Sequence, residues 1–96
     1  MAEQRSASRQ SFEKDIQLER NQFYARENSL VVRSGQGVDI SGLGMGIITK
    51  FPLSPRETIR VYLPVDDMGF TLPVFSEVRW ITVQNNNYRA GLQFLR

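Results

Sequence analysis

The chain contains neither cysteine nor histidine. Disulfides, thiolate chemistry, zinc sites built from those residues and imidazole acid–base catalysis are therefore excluded together. Most familiar enzyme mechanisms leave with them, and the expectation is a protein without catalysis, metal or cofactor. Lysine is scarce as well: only Lys14 and Lys50 are lysines among the 12 cationic residues, so the rest are arginine. That balance leans toward bidentate recognition over diffuse attraction to phosphate. A surplus of one charge sign is also missing. Ten acidic residues oppose the 12 cations for a net +2, and the signs alternate along the chain, which is weak support for a surface that tracks a nucleic-acid polymer. No apolar run approaches the length of a membrane span, and the opening Met1-Ala2-Glu3-Gln4-Arg5-Ser6-Ala7-Ser8-Arg9 lacks the apolar core of a signal peptide. A soluble, cytoplasmic protein without membrane insertion is expected.

What is present is one small domain's worth of chain, 96 residues with 41% hydrophobic content. Its patterning is that of strands. Ile59, Val61 and Leu63 alternate with Arg60 and Tyr62, and a turn at Asp66-Asp67-Met68-Gly69 leads into a long second strand. There Phe70, Leu72, Val74, Val78 and Trp80 share one phase, which assigns Trp80 to the core, while Pro73 predicts an edge or a bulge. Asn85-Asn86-Asn87 reads as the next turn, since Asn tolerates positive φ, and Tyr88, Ala90, Leu92 and Phe94 alternate in a last strand. Earlier, Leu30-Val31-Val32-Arg33 with Val38, and Leu43 to Thr49, read as two further strands, and Phe51-Pro52-Leu53-Ser54-Pro55 as a loop. Residues 11–26 suit a strand or a short helix by their spacing, and strand is the reading adopted. The prediction is an all-β protein, a small antiparallel barrel of five or six strands that removes its edges by closing on itself.

Where the alternating pattern breaks, Asp39-Ile40-Ser41-Gly42-Leu43-Gly44 gathers a carboxylate, a hydroxyl and glycines within six residues. Thirty positions upstream, Arg5 and Arg9 form an Arg-x-x-x-Arg pair in a small, polar segment expected to stay disordered until something binds it. A carboxylate accepts hydrogen bonds from the N1–H and exocyclic amine of guanine, and arginine fits the O6/N7 edge or a phosphate. Together they point to a guanine nucleotide. Each half has a plainer reading: the arginines as tail charges, and Asp39 and Ser41 as caps of a turn that Gly42 and Gly44 permit. Gly42-x-Gly44-x-Gly46 has the wrong spacing for a dinucleotide fingerprint. Asp66-Asp67 reads as a hairpin tip. Arg33, Gly42 and Arg89 are candidates for secondary ligand contacts.

With its strands in this order, the chain resembles the PilZ domain family, bacterial cyclic-di-GMP receptor modules whose pattern is Arg-x-x-x-Arg followed by (Asp/Asn)-x-Ser-x-x-Gly. Arg5-Ser6-Ala7-Ser8-Arg9 matches the first half and Asp39-Ile40-Ser41-Gly42-Leu43-Gly44 the second. Glu77-Val78-Arg79-Trp80 and Tyr88-Arg89-Ala90-Gly91-Leu92-Gln93-Phe94 resemble the last two strands of that family. The resemblance implies a six-stranded split β-barrel over residues 12–96 with a flexible arm at 1–11. It implies cyclic-di-GMP as ligand, held by Arg5, Arg9, Asp39, Ser41 and Gly44, and an unidentified downstream protein or domain as the partner that reads the arm's ordering. The alternative is a barrel of this kind that serves as a protein–protein adaptor without nucleotide. A cold-shock-like binder of single strands is disfavoured, because Phe70, Trp80, Tyr88 and Phe94 share the phase of the aliphatics and are expected inside.

Overall fold

The computed structural model describes residues 8–20, 31–65 and 69–95. Arg5, residues 21–26 of the ambiguous segment and the Asp66-Asp67-Met68 turn lie outside the described residues. Seven strands are present among them: β1 (Gln10–Ser11), β2 (Asp15–Arg20), β3 (Val31–Ile40), β4 (Gly44–Thr49), β5 (Thr58–Pro64), β6 (Thr71–Gln84) and β7 (Asn87–Phe94). Their order is β1-β3-β2-β5-β6-β7-β4, all pairings are antiparallel, and β3 also pairs with β4. That last pairing closes six strands into a barrel. The extra strand is β1, which lies along Asp39 and Ile40 at the end of β3.

The inward residues follow the period of two. Ile16 and Leu18 of β2, Met45 and Ile47 of β4, Ile59 and Val61 of β5, Val78 of β6, and Ala90 and Leu92 of β7 form one buried core, which Leu53 of the β4–β5 loop closes. Phe12, just after β1, packs against it, with its ring over Gly37, where a Cβ would lie 2.7 Å from the ring. The arm is thus not wholly free of the barrel. Its root is paired to β3 and anchored by an aromatic side chain, because the polar Gln10-Ser11 supply backbone pairing and Phe12 supplies burial.

Pro73 lies at an edge, as expected, whereas the inward placement of Phe70, Leu72 and Trp80 is not found. Pro73 sits in β6 where β5 is a neighbour but β7 is not, since the β6–β7 pairing starts at Ser76; the missing N–H therefore leaves no gap in a ladder on that side. For the same reason Phe70 and Leu72 are exposed: they lie beyond the end of β7, past the closed part of the barrel. Trp80 is also exposed, at 46%, turned outward by a register shift in β6. The Asn turn is as expected, with Asn85 at φ 51° and Asn86 at φ 67°, the left-handed pair that a two-residue hairpin requires.

One buried charge ties the loop to the barrel. Glu57 is fully buried and accepts two hydrogen bonds from Arg20, at 2.7 and 2.9 Å, and a third from the Ser54 N–H at 3.0 Å. Its backbone carbonyl accepts from Val78 N–H at 2.9 Å. β2, β6 and the loop meet at this residue. Glu57→Ala leaves the Arg20 guanidinium without its partner, and a loss of about 3–5 kcal/mol in urea denaturation is expected. The double change Arg20→Met with Glu57→Leu removes both charges and should be markedly milder than Glu57→Ala alone.

Candidate functional site

Two β-bulges shape the outer face of the barrel. In β3 the register shifts between Gly37, which pairs with Ile47, and Asp39, which pairs with Gly46. In β6 it shifts between Val78, which pairs with Leu92, and Trp80, which pairs with Gly91. Gly37 and Val78 are buried. A regular strand would turn residues 39 and 80 inward after them, and the extra residue in each strand turns them outward instead. The consequence is a row across four adjacent strands, Asp39–Gly46–Gly91–Trp80.

The two glycines are the floor of this row. A Cβ on Gly91 would collide with Trp80 Nε1 and Cε2, so the indole rests on the β7 backbone. A Cβ on Gly46 would lie 3.0 Å from Asp39 Oδ1, an atom that accepts a hydrogen bond from Gly46 N–H at 3.1 Å. The two glycines therefore make room on the outer face for the carboxylate and the indole, which lie over them. With strands about 4.8 Å apart, the Asp39 and Trp80 Cα atoms are roughly 14 Å from each other.

Cations surround the carboxylate. Arg9 Nη1 donates to Asp39 Oδ1 at 2.9 Å in an exposed ion pair, and Arg89 Nη2 lies 4.0 Å from Asp39 Oδ2. Among the described residues Arg89 Nε is buried without a hydrogen-bond partner. Arg79, the bulged residue, is exposed beside Trp80 and donates to Gln93 Oε1. Arg9, Leu43, Gly44, Arg79, Trp80, Gly91, Leu92 and Gln93 line one cleft of about 190 Å³.

The remaining residues of the motif build the turn between β3 and β4. Ser41 N–H donates to Gly44 O at 2.8 Å, and Ser41 Oγ accepts from Leu43 N–H at 3.1 Å. Gly44 is buried against β7, where a Cβ would collide with Leu92 O. Gly42 stands in open space. Of the candidates drawn from the sequence, Arg9, Asp39, Ser41, Gly42, Gly44 and Arg89 thus come together. Arg5 lies outside the described residues, and Arg33 is placed six residues before Asp39 on β3, about 20 Å away along an extended strand.

Trp80, Arg79, Gly46 and Gly91 are members of this site that the sequence did not announce. Period-two counting carries Trp80 inward from Val78, and nothing local marks the bulge. The signal available was glycine inside strands, at 46 and 91, which marks close approach of another group to the backbone.

No curated protein matches the chain. Among solved structures, the Bacillus subtilis inhibitor of motility (MotI/DgrA) is similar at a TM-score of 0.73 and 14% identity, over 96% of this chain. The chain spans 43% of that protein's length, and at this identity the likeness is one of fold. Among the described residues no helix is long and apolar enough to cross a membrane. Residues 3–96 match the PilZ domain, and the chain belongs to the PilZ domain family.

Proposed function

We propose that the chain is a non-catalytic receptor for cyclic-di-GMP, which takes one guanine between the Asp39 carboxylate and the outer face of the Trp80 indole. The observation that carries this reading is a carboxylate seated over Gly46 and an indole seated over Gly91 in one row on the outer face, with guanidinium groups beside them. A flat base fits against the exposed indole. Asp39 accepts from the guanine N1–H and amine, and Trp80 offers its exposed face for stacking. Arg9, Arg79 and Arg89 stand where a purine O6/N7 edge or a phosphate needs a planar donor. Arg5, four residues before Arg9, adds a second fork from the same arm. Ser41 and Gly44 hold the turn that keeps Asp39 in place, and Gly42 leaves the approach open.

The arm is latched by its Arg9–Asp39 ion pair. Guanine needs the same carboxylate, so binding exchanges that pair for contacts between arginine and ligand. The arm then moves relative to the barrel while β1 remains its hinge. Relay to a partner protein follows from that movement, as one surface is covered and another exposed.

Isothermal titration with cyclic-di-GMP tests the assignment. Arg9→Ala and Asp39→Ala are each expected to weaken binding by about 100-fold, the scale of ~3 kcal/mol for a lost charge-assisted contact, with the fold unchanged by circular dichroism. Absence of heat for the parent chain assigns it to the adaptor reading instead; parent-like affinity retained by both variants overturns the site.

Trp80 is the single tryptophan and gives an independent readout. Addition of the dinucleotide is expected to quench its fluorescence, and Trp80→Ala to weaken binding about tenfold, within the range for one lost stacking contact. Gly91→Ala displaces the indole from the floor, so its emission should shift before any ligand is added and its affinity should fall. Unaltered emission and affinity in Gly91→Ala would mean that the indole face is not the binding surface.

A further inference from the structure

A cleft larger than the one at this site lies elsewhere on the barrel. It has a volume of about 390 Å³ and opens where β3 and β4 part, beyond the Gln36–Ile48 pair. Arg33 and Lys50 line it, and no Asp or Glu does. Among the described residues, Arg33 and Lys50 take part in none of the ion pairs. Beside them stands Phe51, with the guanidinium of Arg33 at 5.9 Å from its ring centre and that of Arg20 at 6.0 Å. The two arginines differ in charge balance. Arg20 is paired with Glu57, whereas Arg33 lines the cleft with no acid among the described residues paired to it.

We propose that this cleft is a second ligand site, for a small anion that carries a flat ring. Its phosphate or carboxylate group pairs with Arg33 and Lys50, and its ring packs on Phe51 and Ile48. Backbone at Gly35, free of a side chain, and the amides of Gln36 and Asn87 supply further polar partners. Charge complementarity and the volume, which is at the small end of ordinary ligand pockets, select the class. The cleft is distinct from the Asp39 site, since Arg33 and Asp39 are about 20 Å apart along β3. The proposal therefore stands whether or not the chain binds cyclic-di-GMP.

Phenyl phosphate is a suitable probe, with inorganic phosphate and phenol as its two halves. In ¹H–¹⁵N spectra of the full chain, phenyl phosphate is expected to give saturable shifts at Gly35, Gln36, Lys50 and Phe51, with a Kd on the order of 1 mM for so small a molecule. Each half should bind about tenfold more weakly, and Arg33→Gln or Lys50→Gln should each weaken phenyl phosphate about tenfold, the effect of one charge-assisted contact. Asp39→Ala should leave these shifts in place. Shifts that do not saturate, that inorganic phosphate reproduces in full as an adventitious ion only, or that survive both cation changes undiminished would overturn the proposal.

Discussion

The extra residue in each of two strands is the constraint on which the outer face depends. A closed barrel built on strict alternation can present on its outside only what the period leaves there, and Gly37 and Val78 are already turned inward. Asp39 and Trp80 would follow them two residues later. A carboxylate carried into an apolar core would cost several kcal/mol unless paired, and an indole there would need space that Met45, Ile47 and Leu92 already fill. The bulges avoid both costs, and they put the two residues on one row. The glycines at 46 and 91 complete the arrangement, since any Cβ would press on the groups that now lie over them.

Rigidity and adjustability are divided along the chain. At the row β3, β4 and β7 are each paired on both sides and β6 is paired with β7, so its spacing is a property of the barrel. Arg9, in contrast, reaches Asp39 from a segment held by a two-residue strand and by Phe12. An exposed ion pair of this kind is worth at most about 1 kcal/mol, so it orients the arm without locking it. A ligand that offers arginine a better acceptor needs little free energy to open the latch.

The buried Arg20–Glu57 pair is of another kind. It holds the loop that follows β4 against β2 and β6, and thereby fixes Phe51 and the wall of the large cleft. Arg33 lies against the same ring, with no acid paired to it among the described residues. Among the described residues, one aromatic side chain thus stands between an arginine paired with Glu57 and one with no acid partner.

Much of the molecule is legible in its residues alone. Alternation of Ile59, Val61 and Leu63, or of Ala90 and Leu92, is a local pattern, and each strand that shows it is where the pattern puts it. Turn residues at Asn85 and Asn86 carry their own φ preference, and Arg9, Asp39 and Ser41 are recognisable as types at a spacing. Local order along the chain was therefore enough to specify an all-β barrel of the PilZ family and to pick out the polar residues of its corner. It took the folded barrel to bring Trp80 into one outward row with Asp39, to pair the arm's root with β3, and to assign Arg33 to a different cleft. The physical reason is that a bulge is set by the partner strand: whether one residue is skipped depends on what stands opposite, here Gly46 and Gly91, and that is information no single stretch of chain contains.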